Sequence, residues 1–105
     1  MKIDAAAGTN VWTAEFGNEG QSSENAHGKG IGLDSAGNVF VGAEQGFSGV
    51  VQLAVIKLDT AGVGVWTNTY LRTPGADSHM RGFAVDSSGD VLLTGQTYNG
   101  TDTDY

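Results

Sequence analysis

Two short runs carry the side chains best suited to chemistry, His27-Gly28-Lys29-Gly30 and His79-Met80-Arg81-Gly82. Each sets an imidazole two residues before a cation and closes on glycine, the pattern H-x-[KR]-G. Packing alone does not require a histidine or a cation at these places. Clustered cations focus a field that attracts acidic ligands. His27, Lys29, His79 and Arg81 are therefore candidate ligand-binding residues for a small anion. The competing reading is that a duplication copied exposed charges that only meet water, as surface charges usually do.

Other chemistry is less well supplied. Imidazole binds Zn, Ni or Cu, but neither run has a second ligand at metal spacing. A metal would need symmetry-related histidines around an axis, so no metal and no cofactor is expected. Asp34, Asp86, Asp90, Asp102 and Asp104 offer oxygens. A calcium loop of the EF-hand kind needs a ligand at alternate positions and a terminal Glu, and the Asp-Ser-x-Gly runs are already explained as turns. Thr101-Asp102-Thr103-Asp104 fits the start of a strand. Glu15, Glu19, Glu24 and Glu44 have no spacing that argues for a catalytic pair. Gly28-Lys29-Gly30 is too short to cradle a phosphate. An enzyme needs convergent groups of shifted pKa in a pocket; with no such constellation in view, the expectation is a non-catalytic protein.

The elements that must position these residues are written twice. Gly30-Ile31-Gly32-Leu33-Asp34-Ser35-Ala36-Gly37-Asn38-Val39 returns 52 residues on as Gly82-Phe83-Ala84-Val85-Asp86-Ser87-Ser88-Gly89-Asp90-Val91. Val11-Trp12-Thr13 returns as Val65-Trp66-Thr67, and Lys2-Ile3-Asp4 as Lys57-Leu58-Asp59. A period near fifty residues marks units that bury their apolar faces against neighbours. Apolar residues alternate with period two, and Gly, Asn, Asp and Ser interrupt them at short intervals, which predicts an all-β fold. Four strands per repeat are expected. The first repeat has them at about 28–34, 38–44, 50–58 and 63–71. The second has them at about 80–86, 90–97, a strand split between 101–105 and 1–3, and 9–16. Asp34–Asn38 and Asp86–Asp90 read as tight hairpins, with Asp accepting backbone N–H bonds and Gly supplying positive φ. Trp12 and Trp66 read as packing between units. The alternative is a platform for a sugar ring, a role better suited to Tyr98 and Asn99.

With V-W-T ahead of a Gly/Asp loop and then G-φ-φ-φ-D-S-x-G-[ND]-V, the chain resembles the bacterial SBBP-type β-propeller repeat. NHL-like propeller repeats are similar. Trp66 to Thr97 matches best, and Gly42-Ala43-Glu44-Gln45 and the loop from Gly17 to Ala26 depart from the pattern. The resemblance implies four-stranded antiparallel blades, two per chain, within a single repeat domain over residues 1–105. The first blade is about 28–71, and the second about 80–105 plus 1–16. It also implies a secreted or cell-surface setting. The first strand of a blade lines the central channel, so the H-x-[KR]-G runs, just ahead of it, would ring one mouth.

Two blades do not close a ring, since propellers have four to eight. Read end to end, Thr101–Tyr105 and Met1–Asp4 imitate the unbroken stretch Leu53–Asp59. The expected partner is therefore the chain itself, in a cyclic homo-oligomer of three or four copies. Net charge is −7, with five basic residues and no run of them, which excludes nucleic acid as a partner. There is no cysteine for disulfides or thiolate zinc sites. No apolar run reaches membrane-spanning length, and Met1–Ala5 lacks the apolar stretch of a signal peptide. The expected function is a self-assembling scaffold or binding module. A lectin-like carbohydrate module is the alternative in the same class. A hydrolase or lyase at the channel mouth, built from His27, His79 and nearby acids, is the alternative in another.

Overall fold

Residues 1–15, 26–47, 50–70, 77–98 and 103–104 are described by a computed structural model of the chain. Among them there is no helix, and so none long and apolar enough to cross a membrane. The strands are β1 (Lys2–Ile3), β2 (Asn10–Trp12), β3 (Ala26–Leu33), β4 (Val39–Phe47), β5 (Val50–Leu58), β6 (Gly64–Tyr70), β7 (Asp77–Val85), β8 (Val91–Tyr98) and β9 (Thr103–Asp104). They form three antiparallel sheets, β1-β2, β3-β4-β5-β6 and β7-β8-β9. The all-β expectation holds.

The turns explain why the chain reverses where it does. Asp34 Oδ1 accepts from the N–H groups of Ala36 (3.0 Å) and Asn38 (2.9 Å), and Asp86 Oδ1 from those of Ser88 (2.9 Å) and Asp90 (2.9 Å). Gly37 and Gly89 take φ of 86° and 88°, which an L side chain resists. The two turns also touch, since Ser35 Oγ donates to the Ser87 carbonyl at 3.0 Å. Between turns, β5 is rich in Val, Leu and Ile and runs straight through the sheet centre, as β-branched residues favour.

Alternation gives the four-stranded sheet two apolar faces. One carries Val39, Ala43, Ala54, Ile56 and Leu58, against which Trp12, Ala14 and Val41 pack. The Trp12 indole lies against Gly62 and donates its N–H to the Thr60 carbonyl at 3.2 Å. The opposite face carries Phe40, Gly42 and Glu44 and meets β7. There Phe83 and Val85 fill the space over Gly30 and Gly32, and a Cβ on Gly42 would stand 2.7 Å from both Met80 Sδ and Phe83 Cδ2. Asp77 Oδ1 adds a cross-sheet bond from the Val51 N–H at 3.0 Å. So the β1-β2 hairpin and the β7-β8-β9 sheet cover opposite faces of one central sheet.

The repeat is preserved in register. β1-β2 pairs Lys2 with Trp12 and shifts at Lys2/Ile3; β5-β6 pairs Lys57 with Trp66 and shifts at Lys57/Leu58. β8-β9 pairs Thr97 with Asp104, as β4-β5 pairs Gln45 with Gln52. Asp104 therefore matches Gln52 while Lys2 matches Lys57. The end-to-end reading of the sequence slips by two. Within one chain the two half-strands belong to separate sheets.

Candidate functional site

The H-x-[KR]-G runs lie inside strands, two or more residues further into the sheet than the sequence suggests. Pairing continues through them: His27 faces Glu44 across β3-β4, and His79 faces Gln96 across β7-β8. Each run contains a β-bulge at the same place. The register skips between Gly28 and Gly30 in β3, and between Met80 and Gly82 in β7. The residues left over are Lys29 and Arg81. A bulge re-aims the extra side chain, and both cations turn to the residue opposite the histidine. Lys29 Nζ lies 3.5 Å from Glu44 Oε2, and Arg81 Nε donates to Gln96 Oε1 at 3.2 Å.

Glu44 is one of the residues that join the sheets, and its carboxylate is buried. Oε1 accepts from the Met80 N–H at 2.8 Å, while Oε2 lies 3.4 Å from His79 Nδ1. Thus Lys29 of the central sheet and His79 of the next converge on one carboxylate. His27 and Arg81 are exposed; His27 is the cross-strand neighbour of Glu44, with no hydrogen bond to it among the described residues, and Arg81 turns to Gln96 instead. Burial is the largest single influence on the Glu44 carboxyl and pushes its pKa up. The Met80 N–H, His79 and Lys29 together outweigh it and leave the pKa below the usual 4.5. Sequence spacing did not single out Glu44, because two of its partners, His79 and Met80, lie on another sheet. The one available signal was its register opposite His27.

A carboxylate whose pKa falls on folding stabilises the fold above its ordinary value and loses that contribution as pH falls through the depressed one. Thermal melts between about pH 6 and pH 3 are therefore expected to fall more steeply for the natural chain than for Glu44→Gln, which has no proton to gain. Equal slopes would show that the Glu44 contacts contribute nothing to stability.

A second feature is apolar. Between the β1-β2 hairpin and the outer side of β3 lies a cavity of about 500 Å³ lined by Ile3, Trp12, Ile31, Leu33, Val39 and Thr60, among others. Ile31 and Leu33 are 70% and 61% exposed there, although they alternate along β3 like core residues. At the other end of the molecule Leu92 is 61% exposed on the outer face of β8. Trp12 is half-buried against the central sheet, as expected for packing, whereas Trp66 is 41% exposed and meets the Phe40 ring edge-on at 6.1 Å.

Among the described residues no three His, Asp or Glu side chains gather as metal ligands. Glu19, Glu24, Asn99, Asp102 and the side chains of Tyr98 and Asp104 lie outside the described residues. No family model, no curated protein and no solved structure matches the chain.

Proposed function

We propose that the chain is a non-catalytic β-propeller scaffold and binding module whose copies join head to tail in a closed ring. Each repeat is a blade, and three or four chains give six or eight blades around a channel. The observation that carries this reading is one repeat position in two states. Phe40 and Leu92 are equivalent, 52 residues apart, yet Phe40 is 1% exposed and Leu92 is 61% exposed. Phe40 lies on the face that the next sheet covers. Leu92 lies on the corresponding face of β8, which no part of the chain covers among the described residues.

The missing cover exists at the other end of the molecule. Phe83 and Val85, which fill the space over Gly30 and Gly32, are the repeat equivalents of the bare Ile31 and Leu33. The places matching Gly30, Gly32 and Gly42 are Gly82, Ala84 and Thr94. Ile31 and Leu33 of one copy therefore face the Gly82, Ala84 and Leu92 surface of another in the order used inside the chain, with the smaller Ile31 and Gly28 in the places of Phe83 and Met80 beside Thr94. In the same step the β1-β2 hairpin of one copy takes the outer position beside β9 of the copy before it. Trp66 then gains the turn Asp4–Gly8 to pack on, as Trp12 packs on Asp59–Gly62. A channel mouth and a loop face remain available to a partner.

Light scattering after size exclusion, over a tenfold concentration range, tests the assembly. A constant mass of three or four chains is expected. A single folded chain throughout that range would overturn the reading.

A further inference from the structure

We infer that each junction between two copies binds a small oxyanion, held by Arg81 of one copy and His27 of the next, while the equivalent place inside each chain does not. The inference rests on the head-to-tail reading above and adds a ligand class and a location to it.

The argument begins with a difference between the two repeats. At the internal contact, cation, histidine and acid form a closed set: Lys29 and His79 both reach the Glu44 carboxylate, which also takes the Met80 N–H. Glu44 already supplies the oxyanion there, so no charge is left for a ligand. The matching set at a junction is Arg81 for Lys29, Gln96 for Glu44, and His27 and Gly28 of the next copy for His79 and Met80. Gln96 has the shape of glutamate without its charge. Its single carbonyl oxygen, already accepting from Arg81 Nε, has a second lone pair for the Gly28 N–H of the next copy, where Glu44 uses separate oxygens for Lys29 and Met80. Neutralising Arg81 is beyond it.

What remains, among the described residues, is a cation with donors to spare. Arg81 uses Nε on Gln96, and its two terminal nitrogens carry four further N–H groups in the planar fork that suits oxyanions. The Gln96 amide group and the His27 imidazole supply further N–H donors beside it. The bulge at Arg81 turns the guanidinium toward that side of the sheet. Carboxylate and phosphate share the chemistry that this site recognises. The four basic residues singled out in the sequence thus divide in two: Lys29 and His79 are spent on Glu44, and His27 and Arg81 form the binding pair.

Inorganic phosphate is the probe, titrated calorimetrically at low ionic strength, with the mass of every variant measured beside it. One phosphate per chain is expected for the natural protein. Gln96→Glu places the missing carboxylate at the junction; it should keep the assembled mass and weaken phosphate binding by about tenfold or more, the effect of losing one charge-assisted contact. Glu44→Gln opens the internal place and should raise the count to two per chain. An assembled protein that binds no phosphate, or an assembled Gln96→Glu variant that binds it unchanged, overturns the oxyanion site and leaves the ring standing. A single-chain mass overturns the ring, and the junction site with it.

Discussion

Phe40→Ala is expected to lower the free energy of unfolding by about 3–5 kcal/mol, the range for emptying a buried aromatic position. The ring has few ways to be replaced. It sits between the edge of Trp66 at 6.1 Å and the Lys57 ammonium, 5.4 Å from its centroid, and faces Gly89 of the next turn. Ala at this site leaves a void between two sheets whose backbones are held by the Ser35–Ser87 and Glu44–Met80 bonds, so they cannot simply close over it. Leu92→Ala, at the equivalent position, separates fold from assembly. In a dissociated chain it should cost within about 0.5 kcal/mol, because Leu92 there is exposed. In the assembled protein it should weaken association. Urea melts of both variants, at concentrations that bracket dissociation, make the comparison. Equal effects of the two substitutions in a dissociated chain would contradict the burial difference.

Leu33→Asp should have the largest effect on assembly. Leu33 is 61% exposed in the single chain, so a carboxylate there meets water and the fold keeps its circular dichroism spectrum. At a junction the same carboxylate would be pressed against Gly82, Ala84 and Leu92. An unpaired charge in such a place costs several kcal/mol. The expected result is a folded single chain by light scattering at concentrations where the natural protein is assembled. An assembled Leu33→Asp protein would move the contact elsewhere on the surface.

The strands and turns were legible because their signals are local. Asp34 and Asp86 bond to N–H groups two and four residues on, and the adjacent glycines take the positive φ that the turn needs. Alternation along β4 and β5 gives both faces of the central sheet directly. The bulges at Lys29 and Arg81 were not legible, since a skipped partner leaves no mark on a strand read alone. That is why the histidines were expected just ahead of the strands and lie within them. Glu44 was hidden for a related reason. Its contacts to His79 and Met80 span 35 and 36 residues and two sheets. The slip at the split strand arose because its two halves carry different offsets, 55 for Lys2 and 52 for Asp104.

The two bare faces of this chain differ in kind: one projects Ile31 and Leu33, and the other recedes to Gly82 and Ala84. In the head-to-tail assembly we propose, one face would meet the other, so accretion would be directional, each added copy presenting again the face it consumed. Nothing in such a contact would halt that growth; only the angle between successive copies would, by returning the last face to the first. A substitution that altered the angle without weakening the contact would yield not a smaller particle but an open filament, visible by negative-stain microscopy and increasing in length with concentration.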